Sequence, residues 1–415
     1  MRIGQEERHH NGRGGANGRR DNTCAVHRDT SSVVNGHDQR RHHRKLTGRG
    51  DGPAAARRLS GDVNLAVALL LEQKGGKAGK FDVSIKEYDS STVDLCKTNG
   101  SDHLANGDEI AIMGTYSSGC AKFELPALNA DPAGPMLMIS PYNTNPGLTK
   151  AGDPDEPDKY YPTGTRNYGR LIATEDLQGK AQAEFAAKEL GVTKCVVLDD
   201  AESYGVGLAQ GFGEAANSAG IAIVATSQWD GAQSDYATLF EGFKALNPDC
   251  FFLGGTGDVN GEQLIRDKVA VFGPNTGAVK LLAPDGFIGY ESIQRLPESE
   301  GMYLSYIGLP LSELVKASSA ADFAAAFKAK YGHDPDPTAL YGAAAMQFIL
   351  AAIEGSDGTR KDVVRAAFSG IIVPANESVI GRELSIDENG DATIGDASIE
   401  ILRGGVETFV KAWPV

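Results

Sequence analysis

Residues 109–146 read EIAIMGTYSSGCAKFELPALNADPAGPMLMISPYNTNP and contain two short apolar segments, each of which ends in a loop of glycine, hydroxyl and amide residues. The segment 110–113 is followed by GTYSSG at 114–119, and the segment 136–139 by SPYNTNP at 140–146. In an open α/β sheet, small molecules bind outside the carboxyl ends of the parallel strands, where such loops offer free backbone N–H groups. The two loops therefore predict a binding site for a small ligand that carries an anionic group.

Short apolar strands and helical segments alternate through most of the chain. Strand patterns occur at 81–88, 109–113, 135–139, 194–198, 221–226 and 250–253. Helical patterns occur at 64–73, 121–128, 179–190, 205–219, 235–246 and 261–271, with a weaker one from residue 104. This alternation is typical of parallel sheets built from right-handed crossovers. Because 415 residues exceed one ordinary core, the sequence predicts an α/β protein with two lobes.

The charge of the chain is unevenly distributed. The formal net charge is −15, yet residues 1–60 hold 13 Lys+Arg against 6 Asp+Glu. The remainder is therefore strongly acidic and repels nucleic acid and anionic membrane surfaces at long range. We expect neither to be the main partner.

Residues 1–60 differ in composition from the rest of the chain. They hold six of the eight histidines, and the first aromatic residue of the chain is Phe81. Without an apolar period, this segment is expected to be disordered and basic. The same enrichment in Arg, Gly and His would follow from out-of-frame translation of GC-rich DNA. No apolar run near Met1 resembles the core of a signal peptide.

Six segments, in this order, carry a family resemblance: MGTYSSGCAKFELPALN, MLMISPYNTNPGLT, LIATEDLQGKAQAEFAAKELG, KCVVLDDAESYGVGLAQGF, NPDCFFLGG and LLAPDGF. Together they resemble the solute-binding proteins of branched-chain amino acid type ABC importers, which have the type I periplasmic-binding fold. The resemblance runs from about Asn64 to the C-terminus. It implies two doubly wound parallel-sheet lobes that are joined by three hinge strands and close on a ligand like a Venus flytrap.

The resemblance also implies the limits of the lobes. Lobe one would comprise residues 61–168 and 305–375, and lobe two residues 169–304 and 376–415. The hinge crossings would fall at 165–171, 302–307 and 371–382. In this family a first strand with a loop of the type P-L-x-G precedes these segments, and no such strand is evident here. Lobe one would then expose two strand edges, which favours a truncated or frame-shifted N-terminus.

Within the family, one set of groups holds the α-carboxylate of the ligand. Here these would be the hydroxyl of Ser118, the backbone around Tyr142 and Asn143, and the hydroxyl of Thr144, with Ser117 in the same loop as Ser118. Helix N-termini and hydroxyls favour a carboxylate without adding a competing charge. The alternative is that Ser118 and Thr144 only cap helices.

Asp285 in APDGF corresponds to the acidic residue that pairs with the ligand's α-ammonium group in this family. The alternative is an Asp that fits a turn for backbone reasons. The resemblance also places Tyr204 at the ligand. Gly255 and Thr256 follow the strand pattern at 250–253 and are expected to lend a backbone group and a hydroxyl to the same cleft. Tyr142 stands where the family often has a small residue, so the side-chain pocket should be reshaped.

Other chemistries are disfavoured by spacing. Gly255, Gly257 and Gly261 are one residue too widely spaced for the dinucleotide fingerprint, and the serines at 117–118 lack a G-x-S-x-G elbow. The acidic residues at 387–391 imitate a calcium loop, but Ala392 replaces its glycine. We therefore expect no cofactor, no metal and no catalytic residue.

The cysteines favour an oxidising compartment. Cys96 and Cys120 correspond to a disulfide that some family members contain, and we expect that bond here. Cys195 and Cys250 lie on strands expected to be neighbours, where a bond is awkward, and are predicted to be buried thiols.

The predicted function is that of an extracytoplasmic solute-binding protein, periplasmic or lipid-anchored at the cell surface. It would capture an amino acid or amide-like solute as a monomer and deliver it to an ABC permease. The alternative is a clamshell domain that senses the ligand for a signalling or regulatory system.

Overall fold

The computed structural model describes residues 21–28, 52–90, 93–105 and 107–414. Within these ranges the chain forms two sheets. Helices alternate with the strands along the chain and pack on the faces of each sheet. No helix of the described residues combines the length and the apolar composition needed to cross a bilayer.

The first sheet has the strand order β2-β3-β1-β4-β5-β6. Its strands are β1 (Asp21–Arg28), β2 (Lys77–Ala78), β3 (Phe81–Asp89), β4 (Glu109–Met113), β5 (Leu137–Ser140) and β6 (Tyr168–Arg170). All neighbours are parallel except β2 and β3. The order reverses at β1, so the loop after β4 opens at a switch point, where small molecules commonly bind.

The second sheet has the order β13-β12-β11-β10-β9-β7-β8. Its strands are β7 (Lys194–Asp199), β8 (Ala222–Gln228), β9 (Cys250–Gly254), β10 (Lys280–Ala283), β11 (Tyr303–Ile307), β12 (Asp396–Arg403) and β13 (Val406–Pro414). Strand β12 is antiparallel to both β11 and β13, whereas the other neighbours are parallel. The predicted α/β class with two parallel-sheet lobes is confirmed.

The helices cover the sheet faces. They are α1 (Gly52–Gln73), α2 (Val93–Ala105), α3 (Ser118–Asn129), α4 (Glu175–Lys188), α5 (Ser203–Ser218), α6 (Ala237–Glu241), α7 (Gly261–Phe272), α8 (Glu291–Gln294), α9 (Leu311–Leu314), α10 (Ser318–Tyr331), α11 (Pro337–Glu354) and α12 (Arg360–Ala367). The expectation of a weak helix from Leu104 onward is wrong, because α2 ends at Ala105 and the chain then turns directly into β4.

Continuous apolar runs explain the central elements of each lobe. Every residue of β4, β5 and β9 is buried, as expected for parallel strands that are covered on both faces. Helix α11 is buried on nearly all sides and packs against α1 in the largest apolar cluster of the first lobe. These buried strands fix where the loops after them emerge.

The first crossing between the lobes lies close to the predicted place, and the other two lie later in the chain than predicted. The first crossing follows β6, close to the predicted 165–171. The second follows β11, because that strand belongs to the second sheet throughout its length. Val379 and Leu384 pack with α11, so lobe one continues past residue 375 and the third crossing precedes β12.

The expectation that residues 1–60 lack a strand is wrong for Asp21–Arg28. This segment forms β1, which pairs in parallel with β3 from Asp21 to Arg28 and with β4 from Thr23 to Val26. Main-chain pairing does not require an apolar side-chain run, and an open slot between two strands offers hydrogen bonds on both sides. Residues 52–60, also expected to be disordered, form the start of α1. Residues 1–20 and 29–51 lie outside the described residues.

Two disulfides are present among the described cysteines. Cys96 in α2 is bonded to Cys120 in α3, with a Cα–Cα distance of 5.2 Å, as expected. The prediction of buried thiols at Cys195 and Cys250 is wrong, because these residues are bonded as well. They are paired in register on β7 and β9, which brings their Cα atoms to 4.4 Å. The pairing register of β7 and β9 thus brings the two cysteines close together, which their positions in the sequence did not indicate.

Candidate functional site

A cleft of about 370 Å³ opens where the loops at the carboxyl ends of both sheets face each other. The first lobe contributes residues of the loops after β4 and β5, and the second lobe contributes residues that follow β7, β9 and β10. The cleft is closed at one side by Tyr306 of β11 and by the start of α11. Of the predicted site residues, the lining includes Ser117, Ser118, Tyr142, Thr144, Tyr204, Thr256 and Asp285.

The two serines after β4 have different roles. Ser117 is the N-cap of α3, where its hydroxyl accepts a hydrogen bond from the backbone N–H of Cys120 at 3.2 Å. Ser118 is the first residue of the helix, is 4 % exposed, and its hydroxyl accepts from the N–H of Asn145 at 3.3 Å. Ser117 thus caps the helix, whereas the hydroxyl of Ser118, for which capping was the alternative, keeps its proton available to a ligand in the cleft.

The loop after β5 is braced from behind by Asn143 and Arg170. Asn143 is fully buried, does not line the cleft, and donates to the carbonyls of Thr115 and Tyr116 at 2.9 and 3.2 Å. The buried Arg170 donates to the carbonyls of Asn143 and Asn145 at 3.0 and 2.8 Å and pairs with Asp391. These bonds fix both ends of the segment that presents Thr144. The contribution of Arg170 was not predicted, because nothing in its local sequence points to this loop.

Thr144 is joined to the second lobe through Glu175. Its hydroxyl donates to Glu175 Oε2 at 2.7 Å, and Asn145 Nδ2 donates to Oε1 at 2.9 Å. Glu175 lies in the first turn of α4 and is 1 % exposed. Burial raises the pKa of this carboxyl to about 7, although the two hydrogen bonds favour the charged form. While Glu175 is ionised, Thr144 can offer a ligand only the lone pairs of its oxygen.

Asp285 is held in place by side chains of two helices. Its Oδ1 accepts from Gln178 Nε2 of α4 at 2.8 Å and from the hydroxyl of Tyr204 of α5 at 2.6 Å. Gln178 is itself bound to the carbonyl of Ser305 at 3.0 Å. Burial raises the pKa of Asp285, and the bonds from Tyr204 and Gln178 oppose this shift. The result is a fixed carboxyl group at the edge of the cleft.

Of the two predicted site residues that follow β9, one lines the cleft and the other does not. Thr256 lines the cleft, and its backbone N–H donates to Asp200 Oδ2 at 3.1 Å. Gly255 does not line it. A Cβ atom at Gly255 would lie 2.5 Å from Asp200 Oδ2 and 2.6 Å from the ring of Trp229, so this position needs glycine for close packing. The prediction that Gly255 lends its backbone to the ligand has no support in this packing.

Several lining residues were not predicted. Asp336 caps α11, Glu400 lies in β12 and Glu407 lies in β13. Glu400 carried a detectable signal, because it is the one charged residue in the apolar run ASIEIL. The sequence around Asp336 and Glu407 gave no such signal, because a helix cap and a hairpin strand are ordinary places for acidic residues.

Tyrosine rings form much of the remaining wall. Tyr116 and Tyr142 come from the two first-lobe loops, and their ring centroids are 4.9 Å apart. Tyr142 lies in this wall together with Tyr306, and its effect on the side-chain pocket stays a prediction. Such rings offer flat apolar surface and can also face a cation.

The described residues include no group of three or more His, Cys, Asp or Glu side chains arranged to hold a metal ion. No Lys, Arg or His is among the residues that line the cleft. Its polar chemistry therefore consists of hydroxyls, backbone groups, carboxyls and the amide of Gln294. This set can bind and orient a solute.

A model of the family described as "Periplasmic binding protein" matches residues 64–395. The Leu/Ile/Val-binding protein BraC3 of Rhizobium johnstonii is 27% identical over 150 residues, which cover 36% of this chain and 37% of that protein. The chain thus spans little more than a third of this relative in the match. The leucine-, isoleucine-, valine-, threonine- and alanine-binding protein of Pseudomonas aeruginosa is 24% identical over 88% of this chain and 91% of its own.

Among solved structures, the leucine-binding protein LivK of Thermotoga maritima superposes with a TM-score of 0.74. The superposition covers 95% of this chain and 99% of that one, at 20% sequence identity. At this identity the likeness concerns the fold, and the predicted type I periplasmic-binding architecture is confirmed.

Proposed function

The chain belongs to the periplasmic binding protein family, and we propose that it captures an amino acid or amide-like solute outside the cytoplasm for an ABC permease. The family consists of solute-binding proteins that work with ABC transporters. The observation that carries the proposal is the fixed carboxyl of Asp285, across the cleft from the hydroxyl of Ser118. A zwitterion would satisfy both sides at once.

The first-lobe loops suit the carboxylate of such a ligand. Ser118 sits in the first turn of α3, where unpaired backbone N–H groups and the helix dipole favour a negative group. The loops after β4 and β5 contribute no acidic side chain to the lining of the cleft. A carboxylate would therefore meet donors and aromatic rings on this side.

The second lobe suits the ammonium group. Gln178 and Tyr204 aim their donors at the same oxygen of Asp285, so the second carboxyl oxygen receives neither of these bonds. A charge-assisted bond from an ammonium group to this carboxylate is expected to contribute about 1.5–3 kcal/mol. Ionisation of Asp285, which burial opposes, is favoured by the arriving cation.

A ligand bound to both lobes would favour their closure, because it interacts fully only when the two halves of its site approach. The chain between β6 and α4 and the chains after β11 and before β12 connect the lobes. We propose that closure about these connections presents the liganded protein to the permease. We further propose that the protein acts as a monomer and carries out no reaction.

The test is titration calorimetry of the full chain with L-leucine, L-lysine, L-glutamine and urea near neutral pH. We expect at least one amino acid or amide to bind. Asp285→Asn should then weaken the binding of that ligand by roughly 30-fold, because the amide carries no negative charge to pair with the ammonium group. Asp176→Asn is a matched control, since this acid is exposed on α4 and does not line the cleft.

Two outcomes would contradict the proposal. In the first, none of the four probes binds to folded protein. In the second, Asp285→Asn retains full affinity while its melting curve matches that of the parent chain. The melting curves of both variants are recorded so that a folding defect is not mistaken for lost binding.

A further inference from the structure

The cleft contains more carboxyl groups than an α-amino acid needs. Besides Asp285, the carboxyls of Asp336, Glu400 and Glu407 line it, and no basic side chain lies among the lining residues. A ligand with one ammonium group could neutralise only one of the four. The additional acids therefore have to be explained by something other than the α-ammonium site.

Glu400 is the most informative of the three. It is 6 % exposed, and its carboxyl receives no hydrogen bond from any residue that the structure describes. Because Glu400 lines the cleft, the small exposed part of this side chain faces the ligand space. A carboxylate that is buried without a donor is costly. Burial and the nearby Glu407, Asp336 and Asp285 raise the pKa of Glu400 to about 7.

The two acids beside it are fixed as acceptors. Glu407 accepts from the backbone N–H of Gly289 at 3.0 Å and from Gln294 at 2.6 Å. Asp336 accepts from the N–H and the hydroxyl of Thr338 at 3.0 and 2.8 Å. Glu400 is therefore the group in this cluster that still lacks a donor among the described residues.

The Glu400 cluster is separate from Asp285. Ala283 of β10 is paired with Leu304 of β11, and Leu304 is paired with Glu400 of β12. Two strand spacings put the backbones of β10 and β12 roughly 10 Å apart. A second cationic group would therefore have to lie several bonds away from the first. A single metal ion is disfavoured, because the described residues form no group of acids close enough to bind one.

We propose that the cleft selects an amino acid whose side chain carries a second cationic nitrogen, with the α-ammonium at Asp285 and the side-chain cation at Glu400. Glu407 and Asp336 lower the energy of that cation through their negative potential. The ligand class is thus the dibasic amino acids, such as lysine, ornithine and arginine. This inference rests on the proposed function, since it assigns a second subsite in the same cleft.

The experiment compares L-lysine with L-norleucine, which has the same unbranched carbon chain without the terminal ammonium group. Dissociation constants are measured by titration calorimetry on the full chain, with L-ornithine and L-arginine as further probes. We expect a dibasic amino acid to bind at least tenfold more tightly than norleucine, which corresponds to about 1.4 kcal/mol.

Glu400→Gln removes the carboxyl charge with little change in shape. It should reduce the preference for lysine, expressed as the ratio of the lysine affinity to the norleucine affinity, by about tenfold or more. Glu291→Gln is the control, because this acid lies in the same lobe, pairs with Arg295 on the surface of α8 and does not line the cleft. It removes the same charge and should retain the parent ratio. Calorimetry with norleucine also reports whether the Glu400 variant still forms the site.

The outcomes separate this inference from the proposed function. If norleucine binds as tightly as every dibasic probe, the second subsite is wrong, while capture of amino acids stands. If Glu400→Gln keeps the parent ratio, the assignment of the side-chain cation to Glu400 is wrong. If urea binds and no amino acid does, this inference is wrong while the proposed function stands, and if neither an amino acid nor urea binds, both fail.

Discussion

Glu175 shows how a single buried side chain ties the loop after β5 to the start of the second lobe. It receives bonds from Thr144 and Asn145 at the point where the chain enters the second lobe. A Cβ atom at Gly207 would lie 1.9 Å from Glu175 Oε1, so helix α5 leaves room for this carboxyl only because that position is glycine. The loop after β5, the chain that enters the second lobe and helix α5 therefore depend on one another through this residue.

The raised pKa of Glu175 predicts a pH dependence of stability. Its folded value of about 7 lies above the reference value of 4.5, so between these values the native state binds more protons than the unfolded state. The stability that protonation supplies is therefore present at low pH and is lost as the pH rises through about 7. Glu175→Gln should remove this part of the dependence and stabilise the protein near pH 8, on the order of 1–3 kcal/mol.

Urea unfolding at about pH 6 and about pH 8 measures the effect. In Glu175→Gln the change in the free energy of unfolding between these pH values should become smaller without vanishing. The reason is that burial also raises the pKa of Asp200 to about 6 and contributes to raising that of Glu400 to about 7. Glu189→Gln, at an exposed pair with Lys411, should leave the pH dependence as it is. Identical slopes in the parent chain and in Glu175→Gln would show that this carboxyl does not titrate as stated.

At the residue level, part of the site was predictable. The sequence predicted Ser118, Thr144 and Asp285, which line the cleft, because residues that follow buried strands project from the carboxyl edge of a sheet. Arg170 and Asp336 were not found. They reach the site from segments distant in sequence, and no local pattern encodes such a contact.

At the level of elements, helices α4 and α5 pack closely enough to require glycine. A Cβ atom at Gly179 would lie 2.6 Å from the backbone nitrogen of Phe212 and 2.9 Å from the carbonyl carbon of Gly211. These atoms belong to the backbone of α5 and cannot move without shifting the helix. The close approach matters for function, because α4 carries Gln178 and α5 carries Tyr204, which together hold Asp285.

We expect Gly179→Ala to lower the free energy of unfolding by about 1–3 kcal/mol, as overpacking does. The matched control is Gly213→Ala in α5, where no atom lies within 4 Å of the added Cβ. That change should raise stability by about 0.5–1 kcal/mol, because alanine is the better helix former. Urea denaturation measures both. Equal effects of the two substitutions would contradict the packing argument.

The sequence was informative about the elements that are buried on both sides. Strands β4, β5 and β9 stood out as apolar runs, and their limits were predicted within one or two residues. Strand β1 and the bond between Cys195 and Cys250 were not predicted. Both depend on which strands become neighbours, and this is settled by pairing across long sequence separations.

At the level of the whole molecule, β1 decides whether the first lobe has a continuous sheet. It lies between β3 and β4, and Val26 is paired with Glu87 on one side and Met113 on the other. Proline cannot donate a ladder hydrogen bond and is excluded from central strands. Val26→Pro should therefore destabilise the first lobe by about 2 kcal/mol or more.

Val26→Ala retains the backbone N–H and is the control for this change. Thermal unfolding followed by circular dichroism should show a lower midpoint for the proline variant than for the alanine variant. If the two variants melt alike, β1 does not contribute its main-chain bonds to the sheet in solution.

The sequence by itself determined the class of fold, the alternation of strands and helices, and the loops that line the cleft. These features are encoded locally, in apolar periodicity and in the hydroxyl, glycine and acidic residues at strand ends. Only the tertiary structure decided that β1 fills the first sheet, that Cys195 meets Cys250, and that Glu400 joins Asp285 in one cleft. The physical reason is that strand order and register bring residues together across long stretches of chain, which local pattern does not specify.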